Sequence, residues 1–466
     1  MSGVFGILLL LTAPLLGPFI LWHIHLRTRA FPAASKTVLV LVLGDIGRSP
    51  RTQYHALSLA TAGGCRVHLI GYSGTEPLPA LTANKKIKVH YIPTPGRLDR
   101  NGNRLLYILQ AGIRAVTQVV QVVSVALFEI PQPGFVLVQN PPAVPTLLLA
   151  QYLRFALKAS LIIDWHNFGY SIMALSLGSQ SPIVKFARMY EQCVGRSAAA
   201  HLCVSKAMAT ELRSVWNVRG PVITLYDKSP SHFKRLSLPE IHAFTSRFPT
   251  STSLFTTITA TGTPEYIPTR PALLVTSTSW TEDEDFDLLI DAMCAYDAAL
   301  AEAKKTGNRE LRRLVLVITG KGPLKQRYDQ KIGNLVLEYV TIVTVWLPAD
   351  QYPLLLGSAD LGISLHTSSS GLDLPMKIVD MFGCGLPVCA IDYPCLHEVV
   401  TDNTNGRLFS TSDQLCAQLT ELFDTSDAMR TLSDLRKGTK QFADRRWDEE
   451  WMEVVAPVFG IKAAKE

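Results

Sequence analysis

Short apolar runs rich in Val, Ile and Leu recur along most of the chain. Segments with a helical period separate them. KTVLVLVLGDIGRSP (36–50) predicts a buried strand ending in Gly-Asp-x-Gly, and RTQYHALSLATAGG (51–64) a helix closed by glycines. CRVHLIGY, GFVLVQNPP (134–142), ASLIIDWHN (159–167) and AHLCVSKAM (200–208) predict further strands. Strand–helix–strand order with short loops implies a parallel sheet. Residues 229–270 are rich in Ser, Thr and Pro, lack a clean period and read as a linker or surface insertion. Alternation then resumes with PALLVTSTSW, the helical DFDLLIDAMCAYDAALAEAKK, RRLVLVITGKGP, LEYVTIVTVWL, YPLLLGSADLGISLH and LPVCAID, and RRWDEEWMEVVAPVF closes the chain as an amphipathic helix. The pattern predicts two doubly wound α/β units, whose ligands sit at the carboxyl ends of the strands. It does not select a reaction.

Two stretches are more apolar than a core requires. VFGILLLLTAPLLGPFILWHIHL (4–26) has no charged residue and is long enough to cross a bilayer core of ~30 Å. No Lys or Arg precedes it, as a cleaved leader would need, whereas Arg27, Arg29 and Lys36 follow it. This predicts an uncleaved anchor over 1–26, with the following chain in the cytosol. The second, LYILQAGIRAVTQVVQVVSVALFEI (106–130), predicts a long helix that either fills a core or lies against a membrane.

Charge sharpens this picture. From Arg27 to Arg114 there are thirteen Lys and Arg against three acids, a local charge of +10 in a chain of net +6. Such a surface suits an anionic membrane or a phosphate-bearing ligand, or is simply a solvated basic face. No basic motif interleaved with aromatics points to nucleic acid. The eight cysteines form no CxxC pair, which argues against a disulfide framework or a zinc site and for a reducing compartment. At 466 residues the chain is long enough for two to three domains.

The densest chemistry lies in SSSGLDLPMKIVDMFGCGLPV (368–388). The loop follows a predicted strand and feeds a helix starting near Pro375, whose free N–H groups would make an anion site. Lys377, in the first turn, can add a point charge to a diphosphate. Asp380, three residues on, can accept from a ribose hydroxyl. The residues alone leave open an ordinary capped helix with a solvated lysine.

LPMKIVDMFGCGLPV resembles the nucleotide-sugar signature of GT-B glycosyltransferases, and VITGKGPLK, SADLGISLH and the final helix around Trp447 resemble other parts of that family. The likeness extends through VLGDIGRSPRTQYHALSLA, LIIDWHNFGYSIM, LCVSKAM, STSWTEDEDFDLLIDA and RRWDEEW, and is strongest to the branch that assembles the dolichol-linked oligosaccharide. It implies two Rossmann-like domains facing a cleft: an acceptor domain over 36–228, the linker 229–270, a donor domain over 271–440 and a helix over 441–466 that crosses back. It further implies transfer of mannose from GDP-mannose to dolichyl-diphosphate chitobiose through a β1,4 bond, on the cytosolic face of the endoplasmic reticulum. Membrane lipid and other cytosolic-face mannosyltransferases are the implied partners.

Site residues follow from the same likeness. Ser277, Lys321, Ser370, Gly371, Leu372, Lys377 and Asp380 are expected to bind the donor, and Arg48, Asn167 and Tyr170 the acceptor. Two departures stand out. STSWTEDEDF lacks the Arg and Lys that many retaining relatives carry there, and Leu372 stands where a paired Glu is usual. An α-linked donor and a β product mean inversion, which needs one general base. Asp45 is the first choice for it and His166 the second, with Glu282 and Asp283 behind them. The run Glu282–Asp285 reads as mannose-hydroxyl binders or as a helix N-terminal charge run. No carboxylate pair for a divalent metal stands out, so no metal or other cofactor is expected. A transferase using another nucleotide sugar and a catalytically silent scaffold are the rival readings. A Rossmann dehydrogenase is disfavoured because GDIGRS lacks G-x-G-x-x-G.

Overall fold

The computed structural model describes residues 36–94, 104–247, 255–282, 284–348, 350–424 and 428–462. The expected anchor at 1–26, Arg27, Arg29 and Asp283 lie outside the described residues. The chain forms two compact units, one from residues up to Tyr226 together with Asp448 onward, the other from Asp227–Trp447.

The first unit holds a seven-stranded, all-parallel sheet. Its strands are β1 (Thr37–Asp45), β2 (Arg66–Tyr72), β3 (Ile87–Ile92), β4 (Phe135–Asn140), β5 (Ser160–Trp165), β6 (Ala200–Cys203) and β7 (Val222–Thr224). The order 3-2-1-4-5-6-7 reverses between β1 and β4, which opens a crevice at their carboxyl ends. Helices α1 (Pro50–Thr61), α2 (Arg104–Ser124), α3 (Thr146–Leu157), α4 (Gly169–Leu177) and α5 (Pro182–Gly195) connect them. Within α2 and the wider turn after it, Gly112–Glu129 is long and apolar enough to cross a membrane by length and composition, and 22% of it is buried.

A two-stranded hairpin, β8 (Thr256–Ile258) with β9 (Pro264–Tyr266), precedes the second sheet. It and α6 (Leu238–Thr245) lie within the stretch 229–270, read from sequence as a linker or surface insertion, and both belong to the second unit. The Ser237–Glu240 capping box and Pro239 start α6 despite its weak period.

The second sheet is also parallel, in the order β12-β11-β10-β13-β14-β15. Its strands are β10 (Ala272–Thr278), β11 (Leu314–Gly320), β12 (Val340–Val345), β13 (Leu361–Ser364), β14 (Val388–Ile391) and β15 (Gly406–Phe409). Alternate residues of β10 feed two cores: Ala272 and Leu274 pack on one face, Leu273 and Val275 on the other. Both faces are covered, which is why these strands read as continuous apolar runs. Helices α7 (Phe286–Thr306), α8 (Tyr352–Ser358) and α9 (Met376–Gly383) border the carboxyl ends of β10 and β13, the second reversal point. The last helix, α10 (Trp447–Val454), delivers Trp451, fully buried, to the first unit.

Candidate active site

Asp164, the penultimate residue of β5, is buried, a position a carboxylate tolerates only when paired. Arg51 grips it twice: Nε donates to Oδ2 at 2.9 Å and an Nη to Oδ1 at 3.0 Å. A further Nη of Arg51 donates to the Leu225 carbonyl at 2.8 Å. His166 Nε2 stands 2.8 Å from Asp164 Oδ2, and His55 Nε2 lies 3.2 Å from the same oxygen. Burial alone would push the Asp164 carboxyl up. The Arg51 guanidinium, with His166 and His55 behind it, outweighs that and holds it well below the usual carboxylate range.

These contacts set proton positions. A carboxylate only accepts, so the neutral His166 ring carries its proton on Nε2 and leaves Nδ1 as a lone pair. Nδ1 has no partner among the described residues, and the ring is partly exposed. The Trp451 indole N–H donates to His55 Nδ1 at 2.9 Å, so the His55 proton sits on Nε2, facing Asp164. Burial pushes the His55 imidazole down and keeps it neutral. An oriented imidazole with one free nitrogen can take a proton from a hydroxyl.

Asp45 does not have that freedom. It ends β1 and caps the short turn Ile46–Arg48, accepting from Gly47 N at 3.0 Å, Thr75 N at 2.9 Å and Thr75 Oγ1 at 2.8 Å. Partial burial works against its charge, but these hydrogen bonds and Arg48 hold its carboxyl below the ordinary value. Both oxygens are engaged in shaping a loop, which sets His166 ahead of Asp45 as the candidate base. Arg48 is exposed, and its Nε donates to Thr75 Oγ1 at 3.1 Å. Asn167 Oδ1 accepts from Phe168 N at 2.7 Å and helps to start α4. The amides of Gly169 and Tyr170 donate to the buried Glu191, whose carboxyl burial pushes up. The Tyr170 ring stacks on Phe168, with the Arg188 guanidinium 5.4 Å from its centre.

In the second unit, the sequence-predicted donor residues surround the carboxyl ends of β10, β11 and β13. Ser277 accepts from the Tyr352 hydroxyl at 3.1 Å. Lys321 Nζ sits 3.5 Å above the centre of the exposed Trp346 ring. Gly320 and Gly322 flank it, and a Cβ there would fall 1.8 Å from the Thr278 carbonyl and 1.7 Å from that of Ser279. Only glycine lets the two strand ends approach so closely. In the loop after β13, Gly371 adopts φ +72°. The Leu372 amide donates to Ser368 Oγ and Ser370 Oγ, both at 3.2 Å, and the Asp373 carboxylate accepts from both hydroxyls.

Lys377, expected at the donor diphosphate, is not a solvated cation. It pairs with the buried Glu284, whose other oxygen accepts from Thr278 Oγ1 at 2.5 Å and Ser279 N at 3.2 Å. The acidic run therefore divides: Glu284 neutralises Lys377, while Asp285 caps α7. Asp380 lies three residues on, in the same helix. Burial, with Asp227 nearby, pushes its carboxyl up to about 8, so it is largely protonated at neutral pH.

Sequence reasoning missed Asp164, Arg51, His55 and Trp451. Two signals were present: Asp164 and His166 are two apart at a strand end, and Arg51 and His55 four apart on a helix, each spacing placing both on one face. Among the described residues no group of three His, Cys, Asp or Glu side chains gathers as a metal site.

The two units match known family models. Residues 47–226 match the glycosyl transferase 4-like domain, and residues 265–441 match glycosyl transferases group 1. Among solved structures, Anabaena HepE bound to UDP and glucose aligns with a TM-score of 0.59 at 16% identity, over 89% of this chain and 96% of that one. Sucrose-phosphate synthase from Thermosynechococcus elongatus aligns with a TM-score of 0.60 at 12% identity, over 90% and 97%. Fold and models together define a GT-B glycosyltransferase. The human chitobiosyldiphosphodolichol beta-mannosyltransferase is 41% identical over 97% of this chain and 98% of its own, and the Dictyostelium discoideum protein of that name is 37% identical over 91% and 93%. An Arabidopsis thaliana relative, 41% identical over 90% and 96%, carries the name UDP-glycosyltransferase TURAN. This chain belongs to the chitobiosyldiphosphodolichol beta-mannosyltransferase family.

Proposed function

We propose that the chain transfers mannose from GDP-mannose to chitobiose carried on dolichyl diphosphate, forming a β1,4 bond in one inverting displacement, with His166 as the general base. The observation that carries the base assignment is the Asp164–His166 pair, 2.8 Å apart, which leaves Nδ1 of His166 unpartnered. The acceptor hydroxyl attacks the anomeric carbon as GDP departs, and Nδ1 takes the hydroxyl proton. Asp164 fixes the tautomer and stabilises the imidazolium that forms. Arg48, Asn167 and Tyr170 are assigned to the acceptor. Ser277, Lys321, Ser370, Gly371, Leu372, Lys377 and Asp380 are assigned to the donor. Lys377 and the loop amides offset charge on the departing diphosphate. The proposal assigns no metal to the protein. It places the enzyme in the endoplasmic reticulum membrane, anchored once through residues 1–26, with both units on the cytosolic side.

The relatives' shared name supports the acceptor and the sugar. The Arabidopsis name favours a second reading in which the donor nucleotide is UDP. In vitro transfer to a phytanyl-linked diphosphate chitobiose decides between them: mannose should transfer from GDP-mannose and be competed by GDP. Competition by UDP alone would overturn the donor assignment.

A further inference from the structure

Helix α4 is built almost wholly of apolar residues, yet Ser171 is its one buried residue. Ile172 and Leu175 face outward, the latter 60% exposed. On the adjoining α5, Phe186 and Met189 are 50% and 53% exposed. Leu148 and Phe155 extend the patch along α3, which α5 holds through a Leu148 amide to Tyr190 hydroxyl hydrogen bond of 3.1 Å. Isolated exposed apolar side chains are ordinary, but a contiguous patch over three helices marks an interaction surface.

The charges around the patch say what covers it. Arg154, Lys158, Lys185, Arg188 and Arg196 lie on or at the ends of these helices, and the one acid they carry, Glu191, is buried beneath α4. Apolar side chains rimmed mainly by cations, with Glu211 the acid near Tyr170, match a lipid surface with anionic headgroups, where long basic side chains reach back to the phosphates. A protein partner of ordinary composition would call for charges of both signs. We propose that α3, α4 and α5 dock on the membrane, with Leu175 and Phe186 entering the acyl boundary. His166 and Asn167 directly precede α4, so docking sets the candidate base beside the headgroup layer. This last step rests on the proposed function, since it presumes an acceptor whose diphosphate emerges from the bilayer.

The test uses the full chain in nanodiscs containing anionic lipid, one chain per disc. Wild type is compared with Leu175→Glu/Phe186→Glu and with the charge reversal Lys158→Glu/Lys185→Glu. Hydrogen exchange over residues 169–189 is expected to be slower in wild type than in either variant. Transfer to a long-chain acceptor in the bilayer should fall roughly ten-fold or more in the variants, while transfer to a short-chain, water-soluble acceptor is kept. Equal exchange and equal rates in all three proteins would overturn docking. Protection that appears only with two chains per disc would overturn it in favour of a second copy. If wild type transfers to neither acceptor, the functional reading fails, while the exchange comparison still decides docking.

Discussion

Replacing His166 by Gln tests the centre of the proposed mechanism. A glutamine amide can still donate to Asp164, so the buried carboxylate keeps a partner at the position where His166 Nε2 now stands 2.8 Å away. What is lost is the second nitrogen, the lone pair that would take the acceptor proton. A positioned base contributes about 10²–10⁴-fold, or roughly 3–5 kcal/mol at 1.36 kcal/mol per decade. Mannose transfer should fall by that factor in kcat, with the donor KM little changed because the proposed donor residues belong to the second unit. Asp45→Asn is the matched control. It weakens a cap that accepts from Gly47 and Thr75, a change worth about 1 kcal/mol of stability, and should alter kcat by less than ten-fold. The assay is single-turnover transfer with circular dichroism as a check on folding. If Asp45→Asn loses a hundred-fold while His166→Gln turns over normally, the carboxylate is the base and the dyad is structural.

Three further outcomes follow from particular contacts. Lys377→Ala strands the buried Glu284 and should cost about 3–5 kcal/mol of stability; Lys377→Ala/Glu284→Gln should recover most of it while GDP binding stays weakened about ten-fold or more, and restored GDP affinity in the double variant would refute the donor role of Lys377. The Asp380 carboxyl is pushed up to about 8 in the fold against an unfolded 3.8, so wild type loses stability as pH rises through that window and Asp380→Asn should not; the gap in unfolding free energy between them should widen from pH 5 to 8 towards several kcal/mol, and parallel curves would refute the burial argument. Gly322→Ala sets a methyl 1.7 Å from the Ser279 carbonyl and should destabilise the second unit by about 1–3 kcal/mol, read by chemical denaturation; an unchanged midpoint would show that the turn gives way freely.

The parts of the molecule legible in the sequence are those decided locally. Buried parallel strands read as apolar runs because both faces of each sheet are covered, and glycines mark where strand ends crowd, as at Gly320 and Gly322. The site was legible by position and much less by partner. Lys377 and Glu284 are 93 residues apart, and no local pattern announces that the acidic run after β10 supplies the counter-charge. Asp45 attracted the base assignment because a carboxylate at a strand end is visible in one dimension, whereas its engagement by Thr75 depends on a loop 30 residues on. The structure within 229–270 escapes the sequence pattern for a different reason. Its helix is specified by a capping box and a proline rather than by amphipathic period, so a search for period passes over it.

Asp164 shows why burial, rather than sequence position, singles out the reactive group. A lone carboxylate in that place would be protonated or would unfold its surroundings, because desolvating an ion costs several kcal/mol. The fold answers with a bidentate guanidinium from α1, an imidazole one turn along the same helix and a second imidazole from the loop beyond β5. Arg51 makes the largest contribution to holding the charge, with His166 and His55 behind it, and Trp451 fixes His55 as a neutral ring. His166 is the only one of the three partners partly open to solvent. A ring oriented by a buried charge and reachable from solvent has the geometry the proposed base requires. Asp45 differs, because the hydrogen bonds that lower its carboxyl also occupy it.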